Sequence, residues 1–301
     1  MLIIERRRKG NKMKILMFSR VKIFDGHLRG GAKRFYELYI QLQKYHDVEM
    51  CTVDDSCEYE RRGIKGTVFP GVLFNRENPI KSIYEILSTT KHRINEINHT
   101  GYERIIVFGI PSAIVLSIYN VKKMYLFLRD DLIGYRKISM GYPGRKLSIK
   151  NRIYLWSLKL IEGVSIKKSD KIVVQCHHDL EELKKRHRLY SHTLEKKTII
   201  QINNVNPTWI VNNSGASSMD LGNEGKIKIG FLGNFNNEQK GNRIFLEAIS
   251  CIDNQDVVFF VGGTGTSEEE LRIKYADMNN IHFSGWISNP CAFIKACDLI
   301  I

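Results

Sequence analysis

The sequence predicts an α/β protein of two domains, each a mostly parallel sheet with helices on its faces. Three observations carry that expectation. Strand-length apolar runs alternate with stretches of helical periodicity from Lys14 onward, which is the signature of strand–helix–strand crossovers. The length of 301 residues suits two domains of ordinary size. Residues 212–225 are rich in Ser, Asn and Gly and poor in large apolar side chains, a composition that suits a flexible linker. The expected organisation is an extension over 1–12, a first domain over 13–205, a linker over 206–225 and a second domain over 226–301.

Residues 1–12 end in a basic cluster, Glu5 to Lys12. Met13 is one candidate for the true start; the alternatives are a disordered basic arm or a membrane-surface contact. Residues 14–19 read as the first strand, Gly30-Gly31 as part of the loop after it, and Phe35, Leu38, Tyr39 and Leu42 as the apolar face of the next helix. Strands are expected at 48–53, 67–69, 104–108 and 124–128, and helices at 82–97 and 112–119. A long loop is expected from Arg129 to about Leu147, with Arg129-Asp130 at its start; such loops at strand ends often carry function. Residues 149–169 read as a helix with Ile153, Leu155, Trp156, Leu158, Leu160 and Ile161 as apolar positions. A strand over 171–175, a helix over 180–188 and a strand over 197–202 complete the first domain. His177-His178-Asp179 has no third ligand at metal spacing, so a capping or surface role is preferred to a metal site.

The second domain opens on the stretch from Lys226 to Gly241. Ile227, Ile229, Phe231 and Leu232 form a buried strand bounded by Gly233, a polar loop follows, and Lys240-Gly241 precedes a helix with Ile244, Leu246, Ala248 and Ile249 as apolar positions. Free N–H groups at that helix start favour an anion, and Lys240 adds charge beside it. The alternative is an ordinary strand–helix turn with a surface lysine. A strand over 257–261 ends in Gly262-Gly263, and Ser267 with Glu270 forms a capping-box pattern. Acidic residues at that helix start compete with phosphate for the dipole, so Gly263 is assigned to loop geometry. Residues 281–288 form a strand and glycine turn containing Trp286 and Ile287; Trp286 reads either as a packed loop aromatic or as part of a ligand site. The chain closes on the apolar run Asp298 to Ile301.

Composition narrows the function. Apolar content of 43% and charged content of 26% fit a globular protein rather than a disordered one. Residues 1–200 carry 39 Lys/Arg against 21 Asp/Glu, an excess of 18, while residues 201–301 carry 7 against 11. The basic half suits an anionic partner such as a membrane surface, a phosphorylated lipid or nucleic acid, or serves solubility alone. Six cysteines are scattered without a CxxC pair, which suits a reducing compartment and no zinc site. The longest uncharged run, 105–121, is broken by Gly109 and Pro111 and splits into strand and helix rather than spanning a membrane. Met1-Leu2-Ile3-Ile4 is too short for a signal-peptide core. Gly30-Gly31 is not a GxGxxG pattern, which disfavours a dinucleotide site.

Together these segments resemble glycosyltransferase family 4, retaining enzymes of the GT-B fold with two Rossmann-like domains. The resemblance runs from Met13 to Ile301: Gly31-Ala32-Lys33-Arg34 in the first loop, 169–175 with Asp179 and Leu183, the Asn-rich hinge Asn203 to Trp209, and the Gly233–Lys240–Gly241 segment. It implies a donor site at Gly30, Gly31, Gly233, Asn234, Lys240, Gly263, Trp286 and Ile287, with Lys240 on the donor diphosphate and the 286–287 backbone against the nucleotide base. Asn234 stands where the family has a basic residue, and Arg129-Asp130 where many members have a histidine near the transferred sugar. The implied activity is transfer from a UDP- or GDP-sugar to a glycan or polyprenyl-linked acceptor in cell-surface polysaccharide synthesis. No cofactor, metal or nucleic acid is implied. The implied location is cytoplasmic, peripheral at the inner face of the plasma membrane. Relative to the family the chain is expected to lack the acidic sugar-gripping element and the end of the second sheet. The alternatives are a GT-B nucleotide-sugar epimerase and a non-catalytic relic.

Overall fold

The computed structural model describes residues 12–20, 22–24, 30–69, 79–128, 131–141, 144, 146–202, 219–222, 225–235, 241–252 and 254–301. The chain forms two compact units, Met1–Asn203 and Asn204–Ile301.

The first unit is a seven-stranded sheet in the order β3-β2-β1-β4-β5-β6-β7. Its strands are β1 (Lys14–Phe18), β2 (Asp47–Thr52), β3 (Gly66–Val68), β4 (Arg104–Phe108), β5 (Met124–Phe127), β6 (Lys171–Val174) and β7 (Thr198–Ile200), and every pairing is parallel. Alternate residues of one strand enter opposite faces. Leu16, Phe18, Ile105, Val107 and Leu126 join one core cluster, whereas Ile15, Met17, Ile106 and Phe127 join the other. Burial on both faces is why these strands read as continuous apolar runs.

Helices α1 (Gly30–Gln43), α2 (Ser56–Arg62), α3 (Pro79–His99), α4 (Ile110–Ile118), α5 (Leu132–Ser139), α6 (Ile149–Lys168), α7 (His177–Arg186) and α8 (Ser191–Lys197) belong to this unit. Phe35 and Tyr39 of α1 are buried on one sheet face, and Ile86 and Ile94 of α3 on the other. Local sequence sets the helix ends. The Asp55 carboxylate accepts from the Cys57 N–H at 3.0 Å, and Gly63 closes α2 in the left-handed region at φ 60°. Ser148 Oγ accepts from Asn151 N–H to start α6, and the Asp179 carboxylate accepts from Gln175 and Cys176 N–H at the start of α7.

The second unit is a four-stranded parallel sheet in the order β10-β9-β8-β11. Its strands are β8 (Ile227–Leu232), β9 (Val257–Gly262), β10 (Ile281–Gly285) and β11 (Leu299–Ile300), with helices α9 (Asn242–Ile249), α10 (Glu268–Lys274) and α11 (Pro290–Ala296). Phe231, Phe245, Leu246, Phe259 and Leu271 form one core; Val258, Phe260, Ile287 and Phe293 form the other.

Several expectations need correction. The long loop after β5 contains α5, because Asp131 caps a helix start by accepting from Gly134 N–H at 3.0 Å. Gly30 and Gly31 are the first turn of α1, not a loop. Helix α7 begins at His177, three residues before the expected start. Ser267 makes no capping box; its hydroxyl donates to the Phe235 carbonyl and Glu270 pairs with Arg243. In α9 the buried positions are Phe245, Leu246 and Ile249, while Ile244 and Ala248 are exposed. On α6, Ile153, Trp156 and Leu160 face solvent. The linker over 206–218 and the basic cluster at 5–11 lie outside the described residues.

Candidate functional site

In an open parallel sheet, ligands bind beyond the carboxyl ends of the strands, at the point where strand order reverses. In the second unit that point is β8, with β9 and β10 on one side and β11 on the other. The loops leaving β8, β9 and β10 converge there. Gly233 N–H donates to Gly262 O at 3.0 Å, Phe235 N–H to Thr264 O at 3.1 Å, and Gly263 N–H to Gly285 O at 2.7 Å. The approach is so close that a Cβ on Gly263 would lie 1.8 Å from the Gly233 carbonyl oxygen. Gly263 has φ 133°, which also favours glycine. A Cβ on Gly262 would strike Ile287 at 2.7 Å.

Gly233, Gly263 and Ile287 are thus brought together. Ile287 is buried against Val258 and Phe293, so only its backbone is offered to a ligand, whereas Trp286 is 57% exposed on the turn. The Asn234 carbonyl accepts from Asn242 Nδ2 at 2.9 Å, which ties the β8 loop to the first residue of α9. Asn242 is 3% exposed, and its Oδ1 lies where a Cβ on Gly233 would meet it at 2.8 Å. Sequence reading missed Asn242, since a polar residue at a helix start reads as a surface position. Gly241, in the left-handed region at φ 71°, is the N-cap of α9 and has no side chain to occupy the first N–H groups. Lys240 lies outside the described residues.

In the first unit the reversal falls between β1 and β4. Gly30 and Gly31 open α1 after β1, and a Cβ on Gly31 would meet nothing within 4 Å. Arg34 on α1 donates to Gln175 Oε1 at the end of β6, at 3.3 Å. The chain leaving β1 is held by Asp54, whose carboxylate accepts from Ile23 N–H at 2.9 Å and Phe24 N–H at 2.7 Å. Arg20, fully buried just after β1, has its guanidinium 5.0 Å from the Phe69 ring centre. Burial lowers its pKa to about 10, so it remains a cation at neutral pH. Arg20 was also missed; its signal is a basic residue directly after an apolar strand.

Beyond β5 and β6 lies a charged cluster. Arg186 Nη1 donates to Asp131 Oδ1 at 2.7 Å and to Glu162 Oε1 at 3.2 Å, and the buried pair Glu162–His187 meets at 2.7 Å. Burial pushes the Asp131 carboxyl up, but Arg186 and the Gly134 N–H outweigh it and hold it below its ordinary value. The adjoining pocket, lined by Leu128, Asp131, Glu162, His178 and Arg186, has a volume of about 150 Å³. That holds a few waters or one small group and not a nucleotide-sugar. Arg129 and Asp130 lie outside the described residues.

Residues 226–301 match the family model described as Glycosyl transferases group 1. Solved structures resemble nearly the whole chain. Sucrose-phosphate synthase from Thermosynechococcus elongatus is 13% identical, with a TM-score of 0.65 covering 96% of this chain and 75% of that one. The catalytic domain of starch synthase IV from Arabidopsis thaliana, bound to ADP and acarbose, is 10% identical with a TM-score of 0.60 over 96% and 78% of the two chains. UDP-GlcNAc 2-epimerase from Neisseria meningitidis, bound to UDP-GlcNAc, is 13% identical with a TM-score of 0.55 over 94% and 75%. No match to the chain was found among curated proteins. At these identities the likeness shows the fold, and it is GT-B: two Rossmann-like α/β units with parallel sheets.

Proposed function

We propose that this chain is a retaining glycosyltransferase that moves a hexose from a UDP- or GDP-sugar to a glycan or polyprenyl-linked acceptor in cell-surface polysaccharide synthesis. The observation that supports it most is the convergence of Gly233, Gly263 and the Gly285–Ile287 turn at the reversal point of the unit that matches the group 1 family model. Glycines at these strand ends let the loops converge at the reversal point, and the uncapped first turn of α9 supplies N–H groups for a diphosphate. Lys240, next to Gly241 in sequence, stabilises the leaving diphosphate as the bond from sugar C1 to phosphate oxygen breaks. Gly31, where a Cβ would meet nothing within 4 Å, is a further candidate for approach by the sugar, with Gly30, Arg129 and Asp130 as candidates from sequence. The excess of basic residues in the first unit supports a location on the inner face of the plasma membrane, beside a lipid-linked acceptor.

Calorimetric titration with UDP- and GDP-sugars tests the reading. Lys240→Ala should weaken donor binding by about 1.5–3 kcal/mol, the value of a charge-assisted hydrogen bond. Asn234→Arg should tighten it by restoring a cation beside the diphosphate. Unchanged affinity in Lys240→Ala removes that lysine from the site. Absence of binding by the wild-type chain sinks the reading in favour of a relic. Conversion of a sugar nucleotide to its epimer without acceptor supports the epimerase instead.

A further inference from the structure

Helix α6 has two apolar faces. Leu155, Leu158 and Ile166 are buried on one side, together with Glu162 and Ser165. On the opposite side Ile149, Ile153, Trp156, Leu160 and Val164 recur at three- and four-residue steps, with exposures of 76%, 62%, 62%, 48% and 43%. An apolar helix face is normally covered. Helix α6 is covered on one face only among the described residues.

The exposed stripe continues into a groove of about 740 Å³ in which Trp156, Leu160 and Val164 meet Leu189 and Tyr190 from the turn after α7; Leu189 is 95% exposed. Lys159, Lys167, Lys185 and Arg188 rim this groove. Of these four cations, only Lys185 has a carboxylate partner among the described residues, Glu182.

We infer that this face of α6 is a docking surface for an anionic lipid bilayer. Charge decides between the candidate occupants. A second copy of this chain carries the same net charge of +14 and would set like charges against the basic rim. A lipid surface satisfies both halves of the patch. The apolar stripe enters the boundary between headgroups and acyl chains, Trp156 lies at headgroup level, and the lysines reach the phosphates. The helix lies in the membrane plane, because its other face is packed in the protein core and no helix among the described residues is long and apolar enough to cross a membrane. The inference deepens the membrane association proposed above and rests on that part of the reading. It is independent of transfer chemistry.

Flotation of the whole chain tests it, with vesicles of phosphatidylcholine alone or mixed equally with phosphatidylglycerol and no sugar nucleotide present. Wild type should float with the anionic vesicles and lose binding as salt rises. The double variant Trp156→Ser/Leu189→Ser, and separately Lys159→Ser/Lys167→Ser/Arg188→Ser, should each partition about a hundredfold more weakly, the loss expected for withdrawing two large apolar side chains or three surface cations. Both sets of changes fall on exposed side chains, so melting temperature reports that folding is intact. Ile273→Ser, an exposed apolar change in the second unit, should float like wild type. If wild type fails to float, membrane association itself fails. If wild type floats and both multiple variants float equally well, only the assignment to α6 fails. A dimer in light scattering that Trp156→Ser/Leu189→Ser dissociates, without vesicle binding, would assign the face to a second copy instead.

Discussion

Replacing Gly263 with alanine should damage the second unit more than its single added methyl suggests. That methyl carbon would lie 1.8 Å from the Gly233 carbonyl oxygen and 2.9 Å from its carbon, with the Phe235 ring at 3.1 Å. The obstacle is backbone, so no side-chain rotation relieves it, and the two loops must part by more than about 1 Å to reach ordinary contact. Parting strains the hydrogen bonds that Gly233, Phe235 and Gly263 donate across the strand ends, each contributing about 1 kcal/mol. Alanine at φ 133° adds about 1–3 kcal/mol of backbone strain. The expected loss is about 3–5 kcal/mol, which for a unit of this size lowers melting by about 12 °C or more. Scanning calorimetry gives the shift, and hydrogen exchange locates it: the Gly233 and Phe235 amides should lose protection before those of β4. A melting change within about 2 °C, with those amides still protected, would refute the claim that Gly263 is there for space.

Gly31→Ala is the complementary case: its new methyl meets nothing within 4 Å, so in helix α1 it should stabilise by up to about 0.5–1 kcal/mol, while donor binding falls if the sugar approaches there. Titration and melting on the same sample separate the two effects, and loss of stability would contradict the open space seen at Gly31. Glu162→Ala should cost about 3–5 kcal/mol in chemical denaturation, because it strips a buried partner from His187 and Arg186; a cost under about 1 kcal/mol would show the pair to be dispensable. Burial pushes the Glu49 carboxyl up, but Tyr102, Lys65 and Lys14 outweigh it and hold it below 4.5. Its stabilisation is therefore present above that pH and lost as the carboxyl protonates below it, so the melting gap between wild type and Glu49→Gln should close on acidification and not on raising the pH.

The fold was legible because buried parallel strands announce themselves: Lys14–Phe18, Arg104–Phe108 and Val257–Gly262 are apolar on both faces, and each is a strand close to its expected bounds. Short polar helices were not legible. Ser56–Arg62 and Ser191–Lys197 each bury a single apolar residue, Tyr59 and Leu194, and one residue cannot establish a period. The exposed face of α6 was illegible for the opposite reason. Its apolar residues fit a helix from any direction, and sequence cannot say which side lacks a cover. At the second unit's site, Gly233 and Gly263 were found from their positions after apolar runs. The hold of Asn242 on the Asn234 carbonyl was not, since a hydrogen bond between residues eight apart leaves no pattern.

Strand order in the first unit also governs how the sheet can assemble while the chain is still being made. The pair β1–β2 is complete once residue 52 has emerged, and β3 then adds beside β2. After that β4 takes the open side of β1, and β5, β6 and β7 each join the strand made just before it. No later strand has to be inserted between two that are already paired. From β4 onward, growth therefore proceeds outward along one margin in the order of synthesis, N-terminal part first. At every stage that margin presents one bare apolar edge, such as Ile105–Val107 of β4 before β5 arrives. A pause in translation there would leave a sticky nascent sheet, open to pairing with another chain.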